Sequence, residues 1–196
     1  PDGETRFVVR DSLAGKPKTI VVDPRRTELA KNADLWLQLR PGTDDALALA
    51  MLHTIIEEKL YDAAFVSEWT HGFEALAERV KRYSPEWAAP ITWVPAEKIR
   101  AAARLYAATK PSMMEWGCAI EHTPNTIQTV RAISMLPALT GNVDVPGGWV
   151  FGMKGLGRFP SLIENLTPEM NAKRLGADRF KMLCGEGADL PAAHIP

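Results

Sequence analysis

The sequence predicts an α/β fold with a doubly wound, mostly parallel sheet that carries helices on both faces. Residues 18–22 form a short, β-branched apolar run that Asp23 and Pro24 end, which is typical of a fully buried strand. Residues 35–39 have leucine at every second position and precede a Pro-Gly pair, which indicates a second strand. Helical patterns alternate with these strands, and this order is typical of a parallel sheet covered on both faces.

The helices follow from apolar residues spaced three and four apart. A short helix is expected at residues 26–33, and a longer, well-buried one at residues 44–58. Asp44 and Asp45 lie in the first turn of the longer helix, where negative charge suits the helix dipole. The remaining predicted elements are helices at residues 62–69, 72–82, 95–108 and 126–139, a third strand at 112–116, and loops at 84–95 and 117–124.

The sequence changes character from Val143 onward. Glycines follow in quick succession, at positions 147, 148, 152, 155 and 157, and few periodic segments remain. We therefore expect a glycine-rich C-terminal tail that packs against other segments of the chain. The sequence begins and ends with proline, so we expect an internal piece of a longer protein.

Composition and charge exclude several classes of function. The net charge of −1 offers no electrostatic attraction for nucleic acid or for an anionic membrane. No apolar run approaches the roughly 20 residues that span a bilayer, and no signal peptide is visible. Cys118 and Cys184 are far apart and do not form an iron–sulfur or zinc motif. Neither a Gly-x-Gly-x-x-Gly motif nor a Walker loop is present.

The first candidate binding segment follows the first predicted strand and comprises Asp23, Pro24, Arg25, Arg26 and Thr27. Ligands of open α/β sheets bind beyond the carboxyl ends of the strands. Asp23 could accept two hydrogen bonds from a guanine edge or from ribose hydroxyls, and the two arginines could hold phosphate in a forked geometry. The alternative is a strand terminator followed by solvated arginines.

The second candidate segment, Gly42, Thr43 and Asp44, opens the long helix. Free backbone N–H groups and the threonine hydroxyl suit an anion, while Asp44 suits a base edge. The alternative is an ordinary helix cap.

The third candidate segment follows the third predicted strand, at residues 116–122. Glu121 or His122 could hydrogen-bond a ligand at the same sheet edge. Cys118 could be a nucleophile or a metal ligand, although an isolated cysteine more commonly serves packing. No residue stands out as catalytic.

Four blocks of the sequence, in order, match the pattern of one protein family. They read VVDPRRTELAKNADLWLQLRPGTDDALALAMLHTIIEEKLYDAAFV, VPAEKIRAAARLYA, WGCAIEH and TVRAISMLPALTGNVDVPGG. Together they cover roughly residues 18–152. This pattern resembles the molybdopterin oxidoreductases of the DMSO-reductase class, which include formate dehydrogenases, nitrate reductases and acetylene-hydratase-like enzymes.

The resemblance implies a cofactor and its contacts. Such proteins bind two molybdopterin guanine dinucleotides around molybdenum or tungsten. Residues 23–27 and 42–44 would line the guanosine and phosphate end of one dinucleotide. Cys118 and His122 would be further cofactor contacts, at positions where members often have Met and Gln. The iron–sulfur cluster and the metal-ligating residue are expected in the full-length protein outside this chain.

The resemblance also implies an organisation and partners. Residues 1–115 would form a cofactor-binding α/β domain, and residues 116–196 part of a neighbouring α/β lobe with an irregular tail. The expected partners are the remainder of its own polypeptide and an iron–sulfur electron-transfer subunit. The chain alone should be inactive.

Two alternatives to this molybdenum or tungsten oxidoreductase remain. One is a structural or electron-transfer subunit of a respiratory complex that has lost the cofactor. The presence of Asp23, Arg25, Thr27, Thr43 and Asp44 argues against this alternative. The other is a general nucleotide-binding domain.

Overall fold

The computed structural model describes residues 14–123, 125–150 and 167–173. Backbone contacts divide the chain into two units, with the boundary between Phe151 and Gly152. In chain order, the first unit contains β1 (Ile20–Val22), α1 (Glu28–Asn32), β2 (Leu35–Leu37), α2 (Asp44–Glu57), α3 (Ala63–Trp69), α4 (Phe73–Val80), α5 (Pro85–Thr92), α6 (Ala96–Ala108), α7 (Cys118–Glu121) and α8 (Thr126–Thr140). The described part of the second unit includes one short helix, α9 (Pro168–Ala172).

The two predicted strands pair in parallel, with Val21 opposite Trp36. Asp34 closes the amino end of the pair, because its carboxylate accepts the Thr19 N–H at 2.8 Å. The prediction that β1 is fully buried is wrong for the described residues, since Val22 is 43% exposed. Within the described residues β1 pairs with β2 and contacts the short helix α1, and Ile20 packs against the core. The fold is therefore mixed α/β and helix-rich with a small parallel sheet, and the doubly wound sheet stays a prediction.

Helix α2 lies at the centre of the first unit, as its apolar circumference predicts. Eight of its 14 residues are buried. Helices α4, α5, α6 and α8 all pack against it. Leu52 and Ile55 have no exposed surface, and each such burial contributes about 1.5–3 kcal/mol. The one buried hydroxyl of the helix, on Thr54, donates to the Ala50 carbonyl at 3.0 Å and so remains paired.

A helix, α5, occupies most of the segment predicted as the loop 84–95. The Ser84 hydroxyl oxygen accepts the Trp87 N–H at 3.3 Å and caps the helix, and Pro85 occupies the first turn. Proline suits that position because it has no N–H to leave unpaired. Buried Ala88 and Thr92 hold the helix against α2. The prolines that indicated a loop are therefore compatible with a helix.

The prediction of a third strand at residues 112–116 is wrong, because this segment has no regular secondary structure. Exposure alternates along it as a strand would require, but its backbone joins neither β1 nor β2. Instead, the Ser112 N–H donates to the Asn142 side-chain oxygen at 2.9 Å. The loop predicted at residues 117–124 also contains one helical turn, α7.

Asp62 joins three segments of the fold. Its carboxylate caps α3 by accepting the Phe65 N–H at 3.0 Å and pairs with Lys110 at 2.7 Å. Its backbone N–H donates to the Leu139 carbonyl of α8 at 2.8 Å. The hydrogen bond from Lys110 is the main reason why the pKa of Asp62 is lowered. Helix α8 ends beside it at Thr140, and its C-cap Gly141 has φ of +67°.

Residues 116–150 belong to the same contact unit as the preceding chain. The assignment of residues 116–196 to a neighbouring lobe of the full-length protein stays a prediction. Most of the glycine-rich tail, including residues 151–166 and 174–196, lies outside the described residues. None of the described helices combines the length and apolar character that crossing a membrane requires.

Gly141→Ala should lower the melting temperature of the full-length protein more than Gly72→Ala does. A left-handed φ costs a non-glycine residue about 1–2 kcal/mol at either position. At position 141 the added Cβ would also lie 2.9 Å from the Asp62 carboxylate, whereas at Gly72 nothing lies within 4 Å. Thermal unfolding of both variants measures the difference. Equal losses would show that the contact with Asp62 is unimportant.

Candidate functional site

The turn after β1 is held by hydrogen bonds from its own neighbours. The Asp23 N–H continues the sheet ladder to the Leu37 carbonyl at 3.2 Å, and the Trp36 indole N–H donates to the Asp23 carbonyl at 2.9 Å. One carboxylate oxygen of Asp23, Oδ1, accepts the Arg25 N–H at 2.7 Å. The other oxygen accepts no hydrogen bond from the described residues. The turn is therefore ordered and keeps an acceptor available for a ligand.

The two arginines of this turn make few contacts with the rest of the described chain. Arg25 is 84% exposed and its Nε lies 3.9 Å from Asp23, which is a weak pairing. Arg26 lies over the Trp36 ring, 6.0 Å from its centroid. Thr27 caps α1 by accepting the Ala30 N–H at 3.2 Å, and the Pro24 carbonyl accepts the Gln38 amide at 3.1 Å. Both guanidinium groups are thus accessible to an anion, whereas the Thr27 hydroxyl serves the helix cap.

The turn before α2 gives that helix no side-chain cap from Thr43, although the Asp45 carboxylate accepts the Ala46 N–H at 2.8 Å within the first turn. Gly42 has φ of +78°, a conformation that favours glycine. The Thr43 hydroxyl donates to the Arg40 carbonyl at 2.7 Å and does not cap the helix, so the alternative of an ordinary helix cap does not hold for the Thr43 side chain.

Asp44, the first residue of α2, carries a half-buried carboxyl group. Burial raises the pKa of this group; its own backbone N–H partly opposes the effect, and the charge of Asp45 adds to it. No cation of the described chain pairs with Asp44. The carboxylate is therefore an acceptor without an external donor.

A cleft of about 250 Å³ lies where α2 and α8 begin. Its lining consists of small and polar residues from the two helix starts: Gly42, Asp44, Thr123, Asn125 and Thr129. Helix N-termini present free N–H groups and positive dipole ends, so their convergence suits an anionic or polar ligand. Drug-sized ligands fill pockets of about 300–1,000 Å³, so this cleft suits one end of a larger molecule.

Asn125 ties the two helix starts together. Its side-chain amide donates to the Asp45 carboxylate at 2.7 Å, across 80 positions of sequence. Sequence reasoning found Gly42 and Asp44 but missed Asn125, Thr123 and Thr129. An asparagine directly before a predicted helix is a recognised cap signal, and it could have indicated Asn125.

The other predicted site residues do not line this cleft. Cys118 is exposed at the start of α7, and the His122 N–H donates to the Cys118 carbonyl at 2.9 Å. Their roles as cofactor contacts stay predictions, as does a site shared by residues 23–27 and Asp44. Within residues 14–123, 125–150 and 167–173, no group of three or more His, Cys, Asp or Glu side chains could hold a metal ion.

Comparison with known proteins identifies the family to which this chain is similar. Residues 5–192 match the family described as "Molybdopterin oxidoreductase". Acetylene hydratase of Syntrophotalea acetylenica is 38% identical over 174 residues, which are 87% of this chain and 24% of that protein. Formate dehydrogenase H of Escherichia coli K12 is 44% identical over 138 residues, 70% of this chain and 19% of that protein.

A solved structure has a similar fold. Acetylene hydratase from Pelobacter acetylenicus superimposes with a TM-score of 0.67 at 42% sequence identity, over 69% of this chain and 19% of that one. The chain thus spans about a quarter or less of the length of these relatives.

Asp45→Ala should loosen the start of α8 by removing the acceptor of Asn125. The expected loss is about 1 kcal/mol, typical of one hydrogen bond. Hydrogen–deuterium exchange over residues 118–130 of the full-length protein should rise. Asp45→Asn should restore only part of the protection, because its single carbonyl oxygen replaces two carboxylate oxygens, which accept the Asn125 amide and the Ala46 N–H. Gln128→Ala, an exposed position on the same helix, is the control. Unchanged exchange in Asp45→Ala would contradict the link.

Proposed function

We propose that this chain, which belongs to the molybdopterin oxidoreductase family, supplies part of the binding site for a molybdopterin guanine dinucleotide. The family description names both a molybdopterin cofactor and oxidoreduction. In the proposal, the full-length protein is an oxidoreductase whose cofactor carries molybdenum or tungsten. The bound metal and pterin supply the redox chemistry, while the protein supplies binding, orientation and electrostatics.

The observation that carries the proposal is the half-buried carboxyl group of Asp44. Burial raises its pKa, and no cation of the described chain compensates its charge. A fully buried acceptor without a donor costs on the order of 1–3 kcal/mol, and the half-buried carboxyl group of Asp44, which water partly reaches, bears a smaller cost. The Watson–Crick edge of guanine presents two adjacent donors, N1–H and N2–H, which a carboxylate can accept together. A guanine base would thus supply the donors that the Asp44 carboxylate lacks in the protein alone.

Other groups of the candidate segments suit the phosphates of the same ligand. The start of α2, where Thr43 provides no side-chain cap, and the positive end of the helix dipole favour an anion. Arg25 and Arg26 are accessible and have no strong carboxylate partner in the described chain. Asp23 offers a second acceptor for the base or for a ribose hydroxyl. We propose that these groups hold the guanosine and diphosphate end of one dinucleotide.

The size of the cleft supports a role as part of a site. A volume of about 250 Å³ accommodates a base or a phosphate pair, but not a whole dinucleotide with its pterin. In the proposal, the remainder of the polypeptide contacts the pterin, the metal and a second dinucleotide, and also holds an iron–sulfur cluster. An iron–sulfur electron-transfer subunit is the proposed redox partner.

Cofactor analysis of the purified full-length protein tests this function. Pterin fluorescence, released guanine nucleotide and elemental analysis for molybdenum and tungsten should all be positive. A protein of this family that folds and joins a respiratory complex without pterin or metal would instead be the cofactor-less subunit.

Asp44→Ala and Asp23→Ala should each lower the amount of bound pterin and guanine nucleotide in the full-length protein. Both carboxylates lie at turns rather than in the core, so the fold should survive, as melting temperature would show. Asp34→Ala is the control, because it removes an aspartate at the opposite end of the same strand pair. Full cofactor content in both test variants would exclude the guanine-reading role.

The raised pKa of Asp44 should also make the melting temperature of the cofactor-free protein depend on pH. A raised pKa means that ionisation of Asp44 costs stability, and this cost is present at pH 7 and absent below the ordinary value of 3.8. Asp44→Asn should therefore raise the melting temperature at pH 7, with the gain shrinking as pH falls through the raised pKa. Asp34→Asn should instead lower the melting temperature at pH 7, because the hydrogen bond from Lys18 lowers the pKa of Asp34 and its ionised form stabilises the fold. A loss at pH 7 in Asp44→Asn would contradict the raised pKa.

A further inference from the structure

Strand β2 and the two residues that follow it present two different faces. Leu37 and Leu39 are buried, at 0% and 4% exposure, and belong to the core around α2. Trp36 and Gln38 alternate with these leucines and therefore lie on the opposite side of the strand. Trp36 is half-buried and Gln38 is exposed. One face of this segment thus packs in the core, and the other is available for different contacts.

The second face contacts the turn that follows β1. The Trp36 indole N–H donates to the Asp23 carbonyl at 2.9 Å, and the Gln38 side-chain amide donates to the Pro24 carbonyl at 3.1 Å. The Asp23 N–H donates to the Leu37 carbonyl at 3.2 Å. Two consecutive carbonyl groups of the turn are therefore bound by side chains of the neighbouring strand, at the point where regular strand pairing ends.

Trp36 also contacts one of the two arginines of the turn. The guanidinium carbon of Arg26 lies 6.0 Å from the centroid of the Trp36 ring. A cation at this position is attracted by the ring electrons. In the proposed function, Asp23 accepts hydrogen bonds from the base or from a ribose hydroxyl, and Arg26 holds phosphate. Trp36 therefore contacts two residues that recognise different parts of the same ligand.

The internal hydrogen bonds of the turn do not replace these contacts. The Asp23 carboxylate accepts the Arg25 N–H at 2.7 Å, and the Thr27 N–H donates to the Arg25 carbonyl at 2.9 Å. Both bonds join residues of the turn to each other, so they fix its shape but not its orientation relative to β2. The side chains of Trp36 and Gln38 supply that orientation.

We propose that Trp36 is a positioning residue of the binding site, which holds Asp23 and Arg26 in the orientation that binds the ligand, and that Gln38 supports it. The inference rests on the proposed function, in which the ligand is the guanosine and diphosphate end of a molybdopterin guanine dinucleotide. Neither side chain has to touch the ligand. They limit the freedom that the turn would otherwise lose on binding, so their removal weakens binding without removing a ligand contact.

The first test measures how fast the full-length protein, loaded with its cofactor, releases pterin and guanine nucleotide during dialysis. Trp36→Leu should release both about tenfold faster than wild type, the upper range for one hydrogen bond. Trp36→Phe should release them at an intermediate rate, because it keeps a ring beside Arg26 and loses only the N–H donor. Gln38→Ala should have the smallest effect, because its hydrogen bond is exposed to water.

A double variant separates positioning from a general structural role. Arg26→Ala alone should speed release, but adding it to Trp36→Leu should have a much smaller effect, because the arginine has already lost its fixed position. Release from Trp36→Leu should also depend less on salt concentration than release from wild type, since salt screens a contact between arginine and phosphate. If Arg26→Ala and salt both keep their full effects in Trp36→Leu, the tryptophan is purely structural and the proposal is overturned.

Tyr83→Leu is the matched control. Tyr83 is also half-buried, and the Arg82 guanidinium lies 5.6 Å from the centroid of its ring. Because Tyr83 packs against the core, the variant should have a lower melting temperature, while its release of cofactor should stay unchanged. Release from Tyr83→Leu as fast as from Trp36→Leu would show that lost stability alone explains the effect, and would also overturn the proposal.

The outcomes distinguish this inference from the proposed function. Wild-type protein that carries no guanine nucleotide would refute the proposed function, and the inference with it. Normal guanine nucleotide content with unchanged release from Trp36→Leu would refute only the positioning role. If Trp36→Leu does not fold, Trp36→Phe and Gln38→Ala decide, and release at the wild-type rate from both would refute that role.

Discussion

The burial of α2 is the constraint on which the rest of the first unit depends. A helix that is apolar around most of its circumference needs neighbours on several sides, and α4, α5, α6 and α8 provide them. Packing at this density leaves a helix little freedom to slide or rotate. The start of α2 therefore has a defined position, and so do Gly42, Thr43 and Asp44.

The same packing explains how a weak sheet can position a binding turn. Two paired strands alone are marginally stable in water. Here Leu37 and Leu39 of the second strand and its extension are buried in the core that surrounds α2. Helix α6 packs beside β2, and the Lys98 ammonium reaches the Trp36 carbonyl at 3.4 Å. The carboxyl ends of both strands are thus supported by the helices, although Val22 remains largely uncovered.

Sequence reasoning found the features that depend on local pattern and missed those that depend on distant partners. The strands, α2, α3, α4, α6 and α8 follow from periodicity, and Gly42 and Asp44 follow from their place after a strand. The helix α5 was missed because prolines at its start and on its exposed side do not prevent it. Residues 112–116 alternate as a strand does, but alternation cannot show whether a partner strand exists. Asn125 was missed because its partner, Asp45, lies far away in the sequence.

The hydrogen bond between Asp45 and Asn125 also has a consequence for biosynthesis. The two residues leave the ribosome 80 positions apart, which is roughly 4–16 s at a synthesis rate of 5–20 residues per second. During that interval α2 lacks α8, its largest neighbouring helix, and the cleft has only one of its two walls. A nascent chain in this state cannot retain the ligand proposed for the cleft. Both walls of the cleft are therefore available to the proposed ligand only after translation has passed the start of α8.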